Sequence, residues 1–198
     1  MRRSKAERDT SFAAFMDQAG PALLRTAWFL TGDADRAQEL TQAAFVKTYL
    51  AWHKIDQDRA LAYARRCLVN HRTDVWRATR HEVVADLTSA GLELGSAWQS
   101  WSRSGSQSRD SAAATTDHRD DLVRRLSRLP EQQRKVVVLR YCADQSEAAV
   151  AEALGISVGS VKSAASRGLA ALRQHAEAQA QAETAAHNAT SSTEGSRR

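Results

Sequence analysis

The chain is poor in residues that interrupt a backbone. Two prolines occur in 198 residues, Pro21 and Pro130. Each reads as an early helical residue after a short break, a position where the missing N–H costs little. Two cysteines, Cys67 and Cys142, lie far apart inside apolar-periodic segments. They make no CxxC and no Cys/His spacing, which argues against a zinc module and leaves two reduced core thiols. No apolar run approaches the ~18 residues that span a bilayer. The charged start MRRSKAERDT is not followed by the apolar core of a signal peptide. The expectation is a cytoplasmic protein with no membrane insertion. Gly-rich phosphate loops after a strand, clustered carboxylates and metal-ligand spacings are also missing, so neither an enzyme nor a cofactor is expected. Alternating β-branched runs closed by turn dipeptides are absent as well. The one β-branched run, VVVL at 136–139, sits among helix formers and continues a helical pattern. The fold class is therefore all-α.

What the chain does have is positive charge. The formal net charge is +5 and the pI about 9.6, which makes nucleic acid the first partner to test. Two helical blocks emerge along the sequence. The first, residues 8–81, starts with an amphipathic helix on Phe12, Phe15 and Met16 and a second on Leu23, Leu24, Ala27, Trp28 and Leu30. A turn at Gly32 leads into a helix with Asp33 as N-cap and Asp35 near the positive end of the dipole. After the loop HKIDQD, a long helix is predicted from about Arg59 to Arg80. Residues 82–117 are rich in serine and small residues and read as a flexible linker that joins two helical domains. The second block, 118–174, reads as four helices. The tail, 175–198, extends the last helix by two or three turns before fraying.

The end of the second block carries the sharpest local signals. Ser146 is placed to cap a short helix that buries Val150 and Leu154, and Gly155 suits the left-handed residue that ends it. Ile156 fills the angle, Ser157 caps the next helix, and Val161, Ala165, Leu169 and Leu172 define its buried face. The other face presents Lys162, Ser163, Ser166, Arg167 and Arg173 with no acid among them. Any amphipathic helix has a polar face, but a surface of ordinary composition mixes the two signs. Short donors beside Lys and Arg suit phosphates and major-groove base edges.

The segment LPEQQRKVVVLRYCADQSEAAVAEALGISVGSVKSAASRGLAALR resembles the C-terminal, −35-reading domain of bacterial sigma factors. In the first block, LTGDADRAQELTQAAFVKTYLAW resembles the segment by which these factors bind core polymerase, and ALAYARRCLVNHRTDVWR resembles the helix that binds the −10 element. Two such blocks with no substantial domain between them are similar to the extracytoplasmic-function group of the sigma-70 family. The resemblance implies −35 contacts from Ser157, Gly159, Ser160, Lys162, Ser163, Ser166 and Arg167. It implies −10 contacts from the loop residues His53, Lys54 and Asp56 and from Arg65, Arg66, Asn70, Asp74, Arg77 and Arg80. It implies docking on core RNA polymerase, through the β′ and β subunits, by Arg36, Glu39, Leu40, Gln42 and Phe45, with Leu40 and Phe45 mainly packing. An anti-sigma factor is a further partner it admits. Departures from the family pattern are Gln145 where leucine is common, Ala148 and Ala149 where glutamates are common, and Ala43 and Ala164 where polar residues are usual.

The residues themselves agree with this reading. Between 61 and 80 five arginines, Arg65, Arg66, Arg72, Arg77 and Arg80, face one acid, Asp74. On a continuous helix Asn70, Asp74 and Arg77 share one side, so Asp74 would orient its neighbours. Trp52 and Trp76 fit apolar faces and read as core rather than as base-stacking residues. A LuxR-like helix-turn-helix regulator is the main rival, but it leaves the basic Asn70–Arg77 helix unexplained. A small nuclease would need carboxylate clusters that the sequence does not have.

Overall fold

A computed structural model of the chain describes residues 5–70 and 113–195, and every regular element among them is helical. Helix α1 (Lys5–Thr31) buries Phe12, Met16, Ala19, Leu23 and Ala27, a stripe at alternating spacings of three and four. The break expected at Pro21 does not occur. Pro21 lies inside α1 on its exposed side, where water can satisfy the carbonyl that loses its partner. The apolar stripe continues without a phase shift on either side, and that burial outweighs the single missing bond.

Helix α2 (Ala34–Ala51) starts as expected, with Asp33 Oδ1 accepting from the Arg36 N–H at 2.8 Å. It buries Thr41 and Thr48, whose hydroxyls donate to the carbonyls of Ala37 and Ala44, each at 2.7 Å, so no polar group is stranded. Phe12 stands at the centre of an aromatic cluster, its ring 6.3 Å from Phe45, 5.1 Å from Tyr49 and 5.0 Å from Trp52. Trp52 is thus core, its indole N–H donating to Ser11 Oγ at 3.0 Å. A 3-10 turn (Gln57–Arg59) then leads into α3 (Ala60–Val69).

The second block has the four expected helices. Helix α4 (Ala113–Ser127) takes in residues assigned to the linker at sequence level, 113–117. Helix α5 (Glu131–Val137) widens into a π turn (Val138–Cys142), with the Ala143 N–H reaching back to the Val138 carbonyl. Helix α6 (Glu147–Leu154) and helix α7 (Val158–Gly195) follow. Helix α7 runs well past the two or three extra turns expected, because the Ala, Gln and Glu of the tail are strong helix formers. The expected linker residues 82–112 lie outside the described residues.

The two blocks pack against each other. Helix α1 contacts α4 and the π turn, and α3 contacts α6. One apolar cluster joins Leu23, Leu68 and Val69 of the first block to Val136, Leu139, Val150 and Val161 of the second. Gly32 (φ +70°) marks the seam, since a Cβ there would stand 3.1 Å from Val123 Cγ1. Inside the second block, a Cβ on Gly168 of α7 would lie 2.7 Å from Val137 Cγ2 of α5, so the two helices cross where only glycine fits. Gly168→Ala should therefore destabilise the chain by about 1–3 kcal/mol through overpacking, even though alanine is the better helix former. Urea unfolding would check this; unchanged or raised stability would mean the crossing has room to relax.

Candidate nucleic-acid interface and docking surface

The helix-turn-helix is built by caps. Ser146 Oγ accepts from the Ala149 N–H at 3.1 Å, and Gly155 closes α6 in the left-handed conformation (φ 66°, ψ 35°). The Ile156 N–H returns to the Ala151 carbonyl at 3.1 Å, which fixes the turn, and the Ile156 side chain is half-buried between the helices. Ser157 Oγ accepts from the Ser160 N–H at 3.1 Å and lies 2.9 Å from Ser160 Oγ. The Ser160 amide and its hydroxyl are thus both engaged with Ser157 at the start of α7. Val161, Ala164 and Ala165 are buried, as is Gly168, while Leu169 and Leu172 are half-buried. Ala164 therefore replaces a polar residue at a core position.

Lys162, Ser163, Ser166 and Arg167 all lie exposed on the outer face, with Ser157, Gly159 and Ser160 at its N-terminal end. Arg167 Nε donates to the Ser163 carbonyl at 3.3 Å, laying the guanidinium back along the helix. One feature escaped the sequence reading: Glu147 of α6 comes within 3.7 Å of Lys162 Nζ. The polar stripe contains no acid, but the neighbouring helix brings one to its edge. Val158, 40 % exposed, adds an apolar contact at the helix start.

In the first block the residues expected at the −10 element divide. His53, Lys54 and Asp56 are exposed around the turn after α2, and Asp56 also caps the 3-10 turn by accepting from the Asp58 N–H. Arg66 is exposed, whereas Arg65 is half-buried, its Nε lacks a partner, and burial lowers the pKa of its guanidinium. Asn70 caps the end of α3 as described, and its side-chain amide donates to the Ala153 carbonyl of α6 at 2.6 Å. Asp74, Arg77 and Arg80, together with Trp76, fall outside the described residues. Both thiols are half-buried, and burial raises the pKa of Cys67 and of Cys142, which keeps them unreactive.

On α2, Arg36 and Glu39 are exposed and Leu40 and Gln42 half-buried. Gln42 is less open than its sequence position suggested. Phe45 is 1 % exposed and belongs to the aromatic cluster, so it packs inside the block and offers no surface to a partner. Ala43 is fully buried, which explains alanine at a position where a polar residue was expected. Leu50, half exposed at the end of α2, is an apolar side chain on this block that the sequence reading did not single out.

A helix-turn-helix held by caps, with an exposed basic face on its second helix and packed beside a second helical block, is the architecture of a DNA-binding transcription factor. Residues 15–82 match the family model for sigma-70 region 2, and residues 119–172 match that for sigma-70, region 4. The chain is 37% identical over 171 residues to the RNA polymerase sigma-E factor of Streptomyces avermitilis, covering 84% of this chain and 85% of that one. It is 26% identical over 171 residues to the ECF RNA polymerase sigma factor SigW of Bacillus subtilis, covering 86% and 90%. Among solved structures, CnrH in complex with the cytosolic domain of CnrY has a TM-score of 0.58 at 20% identity, covering 88% of this chain and 95% of that one, a likeness of fold. The chain belongs to the sigma-70 family of RNA polymerase sigma factors, in its extracytoplasmic-function group. It binds core RNA polymerase and directs it to promoters.

The Glu147–Lys162 pair makes a testable contrast. Lys162→Ala should weaken binding to all duplexes alike and reduce the salt slope by about one. Glu147→Gln, which frees the ammonium, should tighten binding by up to about five-fold, the scale of an exposed ion pair. Fluorescence anisotropy across a salt series measures both; if Glu147→Gln weakened binding instead, the pair would be orienting the lysine rather than competing with phosphate.

Proposed function

We propose that residues 8–81 form the polymerase-docking and −10-binding unit and residues 118–174 the −35-reading unit of this sigma factor. Arg36, Glu39, Leu40 and Gln42 form the docking face for the β′ subunit, and the second unit lies against β in the holoenzyme. His53, Lys54, Asp56, Arg66 and Asn70 bind the −10 strand. Capture there relies on unstacked bases, whose opening costs only a few kcal/mol in a weak duplex. Ser157, Gly159, Ser160, Lys162, Ser163, Ser166 and Arg167 read the −35 duplex. The observation that carries this assignment is the capped recognition helix, whose Lys162–Arg167 face is exposed while Val161 and Ala165 are buried. The chain works without catalysis of its own. No described helix is long and apolar enough to cross a membrane, and the cytoplasm, where the polymerase works, is the compartment that fits this role. A factor of the same fold has been solved with the cytosolic domain of another protein; by analogy an anti-sigma protein is the regulatory partner we assign.

Run-off transcription with reconstituted holoenzyme tests the residue roles. Arg167→Ala should cost about 1–3 kcal/mol and relax preference at one or two −35 positions. The double variant Glu39→Ala, Gln42→Ala should lower affinity for core polymerase and leave the fold intact. Wild-type polymerase affinity would move the docking surface elsewhere.

The contact between the blocks adds a requirement. The positions named −10 and −35 lie roughly 25 base pairs apart, about 85 Å of duplex at one turn per ~34 Å. A compact chain of this length has a radius of gyration of about 16 Å and a diameter of about 40 Å, too small to reach both elements. Residues 82–112 separate the two units in sequence, a length whose upper reach is just over ~100 Å at ~3.3–3.6 Å per residue. The two units therefore separate on the promoter, and Asn70 leaves Ala153 when they do. Cysteines introduced as Asn70→Cys and Ala153→Cys, with Cys67 and Cys142 replaced by alanine, should cross-link on oxidation. The oxidised protein should fail to initiate transcription, and reduction should restore it. Full activity of the cross-linked protein would show that the promoter is read without separation.

A further inference from the structure

Between α4 and the distal part of α7 lies a half-open cavity of about 330 Å³, lined by Asp121, Arg124, Arg125 and Arg128 from α4 and by His175, Ala178 and Gln179 from α7. Residues 121, 124, 125 and 128 fall on one face of α4, and 175 and 179 on one face of α7, so the site is assembled by two facing helices. Its charge is strongly one-sided, with three guanidinium groups against one carboxylate. Arg125 binds Asp121 at 2.5 Å and Arg124 approaches it at 3.8 Å. Chiefly through the Arg125 hydrogen bond, the Asp121 carboxyl is held below the usual carboxylate range, and Gln179 also donates to it. The carboxylate is thus committed to its neighbours, and it cannot neutralise Arg128, which has no ion pair among the described residues. Two further groups in the wall, Arg125 Nε and His175 Nδ1, are buried without a hydrogen-bond partner. Each carries a desolvation cost while unpartnered, and neither is open to solvent, so a bound acceptor would relieve it only if the side chain turned to meet it.

We propose that this cavity is a binding site for an oligophosphate, meaning two or more linked phosphate groups, whether free or as the tail of a nucleotide. The volume is within the range of small-molecule sites, and three guanidinium groups stand in the wall beside the side-chain stems and Ala178. Guanidinium groups recognise phosphate through paired, charge-assisted hydrogen bonds. Arg124 and Arg128 are one turn apart, about 6 Å along the axis, a separation that suits a chain of phosphates better than a single one. The promoter duplex is not the occupant. His175 lies about 12 Å beyond Arg167 along α7, and the side of α7 bearing His175 and Gln179 is turned roughly 170° from the middle of the reading side at 100° per residue. Occupancy would tie the extension of α7 to α4, well away from the −35 contacts.

The test is calorimetric titration of the full chain at fixed ionic strength with orthophosphate, pyrophosphate, tripolyphosphate and ATP. Saturable binding of one tripolyphosphate per chain is expected, with orthophosphate at least ten-fold weaker. The variant Arg124→Gln, Arg128→Gln should lose at least ten-fold in affinity for tripolyphosphate, while the remote Lys5→Gln should bind as wild type. Binding of a −35 duplex by the arginine variant shows that it is folded and keeps its reading face. ATP binding as tightly as tripolyphosphate means that the phosphate chain alone is read; tighter ATP binding places a nucleoside in the same cavity. Non-saturating binding, equal losses in the Lys5 variant, or one-for-one displacement of tripolyphosphate by the −35 duplex would each overturn the proposal.

Discussion

Close approach between helices is the constraint on which the rest of this structure depends. Large apolar side chains are few at the centre: Phe12, Phe45, Leu23, Leu68, Leu126 and Leu139 carry most of the bulk. Around them the buried positions are alanines, among them Ala19, Ala27, Ala37, Ala43, Ala44, Ala60, Ala64, Ala151, Ala164 and Ala165, with Gly20 and Gly168. An alanine buries little area, so its contribution comes from letting backbones approach until dispersion contacts are dense. Such interfaces tolerate no added methyl group. They also fix the rotation of each helix, and with it the side chains that face outward. The exposed row Lys162, Ser163, Ser166 and Arg167 is a consequence of Val161, Ala165 and Gly168 being held against α5 and α6.

The features legible in the sequence were those whose cause is local. Asp33, Ser146, Gly155 and Ser157 each do their work within four residues, and all four cap or terminate helices as their side chains and backbone preferences dictate. The buried stripe of α7 and the core position of Trp52 followed from periodicity alone. What stayed hidden depends on two elements meeting. The approach of Glu147 to Lys162, the demand for glycine at 168 and the burial around Arg65 arise between helices, and no spacing along one helix encodes them. Pro21 misled for the converse reason: its local preference for a helix start was real but small beside the stripe that runs through it. The tail was underestimated because composition was weighed for the core it lacks, when helix propensity alone governs an exposed extension.

The candidate surfaces were legible to different degrees for the same reason. On the recognition helix, residues three and four apart expose one continuous face, so periodicity picked them out as a group. On α2, the same reasoning placed Gln42 on the outer side with Glu39 and Phe45 mainly in the packing; Gln42 is half-buried, and Phe45 closes into the ring cluster with Phe12 and Phe15. Family resemblance says which segment docks; packing says which of its side chains a partner can touch.

The contact between the two blocks then acquires a scale. The Asn70–Ala153 hydrogen bond is at the exposed edge of the seam, and a bond of this kind is worth about 0.5–1.5 kcal/mol net. The apolar contacts beside it contribute more, at roughly 25 cal/mol per Å² removed from water. Specific DNA binding by such factors releases on the order of 11–15 kcal/mol, the range of nanomolar and tighter affinities. Whatever the seam contributes lowers the apparent affinity for promoter DNA by the fraction of open chains, and opening follows once polymerase and DNA together supply more. That ordering favours polymerase first. On the proposed assignment core polymerase binds through α2, whose Arg36 and Glu39 are exposed, and engages the closed chain before the −10 strand competes for the amide that α6 holds. Under that proposal the closed arrangement keeps −10 contacts weak in the free factor while leaving the proposed docking residues of α2 open.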